Sequence, residues 1–296
     1  MKNIDEWNKY WLSNSNTQSV FTDLHGEGFK ELSLYWKTIF NKQNKNSRIA
    51  DIGCGTGAIF SCIDALESYQ LMGIDCSFEP LNILSSKFPT VSTFLNTENH
   101  LESCDLHKFT TVVSQFGVEY LGVEVFTGIP SLLSSNASLY TLSHIHGGHI
   151  HSRYSAELKA ILILTKCSLY SKIEESIKEL FANGVSDLLS EFLLFLDENY
   201  DIWCGGTLHF VNGFKQLVER FRQYNESDII QWFNGIDAQL KEAMSRMSIM
   251  CEAALRESDI KNIISKTNQL GDWDYSPFFI KNKELPVAWS ITFKKY

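Results

Sequence analysis

Residues 48–60 read RIADIGCGTGAIF, and this stretch decides the fold. An apolar run ending at Asp51, then Gly53, Gly55 and Gly57 at alternate positions, is a buried strand feeding a glycine-rich turn. Glycines there let the chain turn sharply and let its backbone approach a ligand with no Cβ in the way. A helix is expected from about Ala58, its first-turn N–H groups facing the loop. Eighteen residues beyond Gly57 comes Asp75, at the end of a second run, LMGIDCS. In a doubly wound sheet the second strand ends beside the first glycine loop, where an acid can accept both hydroxyls of a ribose. A glycine turn by itself joins any strand to any helix. With the acid in place, it points to nucleoside binding.

Outward from this loop, short runs rich in β-formers continue as YQLMGID, VSTFLN, FTTVVSQF and ASLYTLSHIH. Helical segments near 57–69, 77–88 and 122–135 separate most of them, which is the pattern of βαβ units and a parallel sheet. From 154 to about 266 strand signals all but vanish, and stretches such as KIEESIKELFANG and DLLSEFLLFLDENY have helical spacing. The last thirty residues return to strands, with GDWDYSPFFI and LPVAWSITFKKY flanking the polar turn KNKE. An antiparallel pair at a sheet edge reads this way. The expected fold is therefore α/β and doubly wound: a mostly parallel, seven-stranded Rossmann-like sheet with an antiparallel edge hairpin and a large helical insertion after strand 5. Its parts are an N-terminal helical or lid segment over 1–46, a cofactor-binding core over 47–152, a helical cover over 153–266 and closing strands over 267–296.

With 296 residues, 44% of them apolar and 21% charged, the chain can bury one large core. A formal charge of −9 without a dense basic run disfavours a nucleic-acid partner. Seven scattered cysteines, an odd number with no C-x-x-C pair, read as reduced thiols of a cytoplasmic protein. The N-terminal stretch has no basic-then-apolar signal pattern, and no run approaches the roughly 20 apolar residues of a membrane span, so no membrane role is expected.

Spacing narrows the ligand. A dinucleotide fingerprint is G-x-G-x-x-G, whereas this loop, G-C-G-T-G, has one residue fewer before its last glycine. A tight loop suits a ligand without pyrophosphate, and Asp51 just before it suits an ammonium group. S-adenosyl-L-methionine has both properties. The stretch ADIGCGTGA followed by GID resembles motifs I and II of the class I S-adenosylmethionine-dependent methyltransferases. VVSQFGVEYL resembles the fourth-strand motif of a bacterial branch of that family, and LPVAWSITFKKY its closing strand.

The resemblance implies that Gly53, Cys54, Gly55 and Gly57 line the methionyl and ribose portions, with Cys76 in the second cofactor loop. It implies that Asp75 holds the ribose hydroxyls, that Asp51 faces the amino group, and that Ser114, Gln115 and Phe116 border the methyl group. Relatives often carry Gly-Asp-Ala at the third-strand end. Here the chain reads FLNTENHL, so Asn96, Thr97 or Glu98 meets the adenine, with Thr97 in the usual slot by counting and Glu98 the charged candidate. The nucleobase- and glutamine-methylating branch uses Asn/Asp-Pro-Pro-Tyr after the fourth strand. The Ser-Gln-Phe-Gly found here departs from that, and a small-molecule acceptor methylated at O or N is expected. Glu119 and Tyr120 follow the fourth strand as acceptor contacts or as the first turn of the next helix. Tyr10 and Trp11 belong to an aromatic N-terminus that closes as a lid or packs on the core.

Two other functions keep the same fold. One consumes S-adenosylmethionine without methyl transfer, closing a ring and releasing methylthioadenosine; the other binds the cofactor and turns nothing over. Four of the eight histidines fall in residues 143–152, SHIHGGHIHS. His144 and His146 are expected on one face of the fifth strand's C-terminal end, where open α/β sheets put their ligands. A metal would need three or four converging ligands and a nearby Asp, Glu or Cys, which the local sequence does not supply, so no metal is expected. A proton-accepting or acceptor-binding role for His144 and His146 stands beside a plain polar strand end.

Overall fold

The computed structural model describes residues 7, 8, 11, 30–97 and 101–296. Seven strands form one sheet: β1 (Arg48–Ile52), β2 (Gln70–Asp75), β3 (Ser92–Leu95), β4 (Thr111–Gln115), β5 (Ser138–His144), β6 (Gly271–Phe278) and β7 (Ala288–Lys295). Their order is β3-β2-β1-β4-β5-β7-β6. The first five run parallel, β7 lies antiparallel to β5, and β6 antiparallel to β7. The central strands β1 and β4 are buried along nearly their whole length, polar residues included, as parallel strands between helical layers must be. Alternating burial along β6, and Pro277 within it, mark an edge strand that needs no second partner.

The helices packed with this sheet are α1 (Lys30–Phe40), α2 (Phe78–Lys87), α3 (Val123–Leu132) and, far along the chain, α9 (Glu257–Thr267). Ile52, Ile74, Val112, Phe126, Leu139, Ile260 and Phe293 share one core cluster. Because β1 lies between β2 and β4, the C-terminal ends of all three strands meet at one point of the sheet edge. That brings the loop after Asp51 beside Asp75 and beside the chain leaving Gln115.

The helix expected from Ala58 does not form. Residues 60–62 and 66–68 make two short 3₁₀ turns instead. Ile59 and Ile63 are β-branched, and the Ser61 hydroxyl donates to the Ala58 carbonyl at 2.6 Å, competing with a helical ladder. The glycine loop consequently has no α-helical N-terminus behind it.

The chain divides into two compact units, residues 1–151 with 252–296 and residues 152–251. Helix α4 (His149–Lys166) leads into the second unit, which holds α5 (Ile173–Asn183), α6 (Asp187–Glu198) and α7 (Gly205–Glu219) before α8 (Glu226–Ala253). Of the stretch expected to be a helical cover, α9 belongs to the sheet unit. The second unit has its own core, with Ile161, Leu164, Ile177, Phe192, Phe210 and Phe214 each 1% exposed or less. Buried Glu157 accepts the Gly206 N–H at 2.8 Å, placing a carboxylate at the first turn of α7. Among the described residues no helix is long and apolar enough to cross a membrane.

Candidate active site

A cleft opens where β1, β2 and β4 end. Its floor is the glycine loop, latched to β2 by the Gly53 and Cys54 N–H groups, which both donate to the Ile74 carbonyl at 2.8 and 3.1 Å. Gly53, Gly55 and Gly57 all take positive φ, +70°, +50° and +87°. Gly53 also touches the loop after β4, since a Cβ on it would stand 2.6 Å from the Gly117 Cα. Two bare backbones cross there.

Asp75 lies against this floor. Its Oδ2 accepts the Gly55 N–H and its Oδ1 the Ser77 N–H, both at 2.9 Å. Asp75 lines the cleft. Burial raises its pKa, while hydrogen bonds from the Ser77 and Gly55 N–H groups and from Cys76 favour the carboxylate. Asp51 is 1% exposed, and its Oδ1 has no hydrogen-bond partner among the described residues. Burial, with Asp75 beside it, pushes its pKa well above the usual carboxylate range. Asp51 is not among the residues lining the cleft; a cation brought to it would reverse both effects.

The remaining predicted cofactor residues separate. Cys54, Cys76, Gln115 and Phe116 line the cleft. Burial raises both thiols, Cys76 to about 12, so neither is a thiolate at neutral pH. At the third-strand end, buried Asn96 lines the cleft, its N–H donating to the Asp75 carbonyl at 2.8 Å, whereas Thr97 is exposed and not among the lining residues. Ser114 is fully buried and stitches two strands: its hydroxyl donates to the Ile52 carbonyl at 2.6 Å and accepts the Val118 N–H at 2.9 Å. Gly57 packs against Phe88 and Leu84. Trp11, buried, lies with its ring 3.0 Å from where a Gly55 Cβ would be. Tyr10 and Glu98 lie outside the described residues.

The wall beyond β4 is aromatic. Phe116 has φ +53°, an uncommon conformation for a bulky residue, and its N–H donates to the Leu142 carbonyl at 2.7 Å. Its ring stacks on His144 at 4.6 Å, and Tyr120 meets the same imidazole edge-on at 5.8 Å. Phe116 and Tyr120 line the cleft, with His144 behind them. Behind His144 lies Glu119, in a short 3₁₀ turn over Val118–Leu121. Glu119 Oε1 accepts the His144 backbone N–H at 2.8 Å and stands 3.9 Å from His144 Nε2. Burial raises Glu119 to about 7 and lowers His144 to about 3. His146 does not share this enclosure; it is exposed, with its ring 4.3 Å from that of His151.

Sequence reasoning did not single out Gly117, Trp7, Ile74 or Leu121, which also line the cleft. Only Gly117, inside the quoted SQFG motif, carried a signal: a glycine two residues past a strand end marks close approach of another backbone. No group of three or more His, Cys, Asp and Glu side chains suited to a metal is present among the described residues.

No family model matches this chain, and no curated protein matches its sequence. Solved structures do match its fold. The plantazolicin methyltransferase BamL, in complex with a triazolic desmethylPZN analog and S-adenosylhomocysteine, aligns with 100% of this chain and 91% of its own, at 10% identity and TM-score 0.51. The plantazolicin methyltransferase BpumL, also holding S-adenosylhomocysteine, aligns with 99% and 88% at 12% identity and TM-score 0.45. The CurJ carbon methyltransferase aligns with 89% and 53% at 10% identity and TM-score 0.45.

Proposed function

We propose that this chain, which has the fold of the class I S-adenosylmethionine-dependent methyltransferases, is a methyltransferase acting at O or N of a small-molecule acceptor. The observation that carries the reading is the pairing of two acids, buried Asp51 and half-buried Asp75, at one glycine loop. Asp75 lines the cleft with its two oxygens fixed by the Gly55 and Ser77 N–H groups, an arrangement suited to vicinal ribose hydroxyls. Asp51 has an unpartnered oxygen suited to an ammonium. The loop between them crosses Gly117 with no side chain in the way. Asn96 would meet the base, and Trp11, packed on Gly55, would cover the ligand.

When bound, S-adenosylmethionine supplies an electrophilic methyl group for in-line displacement. The residues here contribute by holding the acceptor and excluding water. Phe116, Leu121 and Tyr120 make an apolar wall for the acceptor, and the backbone of Phe116 is fixed by Leu142. The proton released by an O–H or N–H acceptor goes, in this reading, to the pair behind that wall. Glu119, raised to about 7, is the stronger base of the pair and takes it up, with neutral His144 3.9 Å away as the relay. Turnover then requires ionised Glu119 and falls as pH drops below about 7.

The protein incubated with S-adenosylmethionine and an acceptor library tests this. S-adenosylhomocysteine should form only when an acceptor is present; methylthioadenosine formed without one overturns methyl transfer. His144→Ala should lower turnover by roughly 100-fold with cofactor affinity within about twofold. Equal losses in both would remove His144 from the proton path.

A further inference from the structure

We infer that His146, His151 and Arg256 form a binding site for an oxyanion, a carboxylate or phosphate carried by the acceptor. The juxtaposition is built rather than incidental. Arg256 is 110 positions from His146, yet its Nη2 stands 3.2 Å from His146 Nε2. The returning chain is fastened there: Leu255 pairs with Ile145 in a parallel bridge, the Leu255 N–H donates to the His144 carbonyl at 2.8 Å, and the His146 N–H donates to the Leu255 carbonyl at 3.0 Å. The Trp289 indole N–H donates to the same carbonyl at 3.0 Å. Three segments thus hold Arg256 over the end of β5.

The donors suit an oxyanion. Arg256 gives one N–H contact to His146 and has no ion pair among the described residues, so most of its five-donor fork is unused. Neither Asp259 nor Glu257 bonds its guanidinium among the described residues. Asp259 Oδ2 accepts the Arg256 backbone N–H at 2.7 Å, and Glu257 is bonded to Lys261 and Tyr275. His151 adds a second imidazole 4.3 Å from the first, and its pKa is lowered by burial and by the neighbouring His146 and Arg256. A bound anion would turn that mutual repulsion into attraction.

Position gives the site its role. His146 lies two residues past His144, roughly 7 Å of extended chain, and His144 stacks on the Phe116 that lines the cleft. An acceptor whose reactive atom rests on Phe116 and Tyr120 has its far end beside this cluster. This role for the anion rests on the methyltransferase reading; the site itself does not.

The test uses the full chain saturated with S-adenosylhomocysteine. Histidine-ring NMR signals, assigned with His146→Asn and His151→Asn, are followed while inorganic phosphate or acetate is added at constant ionic strength. Both rings should shift saturably, and the arm saturating at lower concentration identifies phosphate or carboxylate as the preferred group. Arg256→Gln should raise the midpoint roughly tenfold, Arg256→Lys should fall between, and both should retain S-adenosylhomocysteine affinity by calorimetry. Shifts that are linear, equalled by chloride, or unchanged in Arg256→Gln overturn the anion site. Saturable phosphate binding in a protein that calorimetry shows not to bind S-adenosylhomocysteine would instead overturn the methyltransferase reading and leave the site standing.

Discussion

Asp75 is organised before any ligand arrives, with one backbone N–H on each carboxylate oxygen. Asp75→Ala removes both acceptors offered to the cleft and also strands the Gly55 and Ser77 donors. Hydrogen bonds to charged groups contribute about 1.5–3 kcal/mol each, so cofactor affinity by calorimetry should fall at least about 100-fold. Glu119 gives a different signature. Its folded pKa, about 7, exceeds its ordinary 4.5, so the folded state holds its proton more tightly and this contribution to stability is lost as pH rises from 4.5 through 7. His144, held low, acts in the opposite direction as pH falls below 6.5. The difference between parent and Glu119→Gln cancels the His144 contribution. In denaturant melts the parent's stability relative to the variant should drop by on the order of 3 kcal/mol between pH 4 and 8. A constant difference would mean that Glu119 is not proton-poised. Asp51 and Asp75 were both legible in the sequence because a strand end and a glycine loop fix their places locally. Glu119 was legible only as a choice between acceptor contact and helix turn, since its burial under His144 depends on β5, 25 residues away.

At the scale of elements, the contact between the β1 and β4 loops decides whether a cleft exists. A Cβ at Gly117 would stand 2.6 Å from the Ile52 carbonyl and 2.9 Å from the Gly53 Cα, both backbone atoms that cannot rotate away. Gly117→Ala should cost about 1–3 kcal/mol by thermal or denaturant unfolding and weaken cofactor binding with it. In the second unit Gly205 takes φ +52° directly against the Glu157 carboxylate. Gly205→Ala should lower the melting temperature while leaving S-adenosylhomocysteine affinity unchanged. The strands were legible element by element, because period, β-branching and glycine spacing agree in each. The missing helix after the glycine loop was not. A strand–glycine loop–helix pattern outweighed the weaker local message of Ile59, Ser61 and Ile63, whose side chains favour tight turns.

For the molecule as a whole, the second unit has a sufficient core of its own, with its helices sharing one aromatic cluster. Residues 152–251 expressed alone should show helical circular dichroism and a cooperative melt; a non-cooperative melt would mean that the unit depends on the sheet. That an insertion splits the sheet was legible from the return of strand pattern near 271. The meeting of Arg256 with His146 was not, because nothing local to either residue names a partner 110 positions away.

The same excursion sets a folding order. Strands β1 to β5 can pair before the second unit is synthesised, but β7, the antiparallel neighbour of β5, follows about 140 residues later. At 5–20 residues per second, the hydrogen-bonding edge of β5 is open for roughly 7–28 s during synthesis. An open edge of buried strand is a template for pairing with another chain. The nascent protein is therefore most exposed to aggregation, and to chaperone capture, while its second unit is being made.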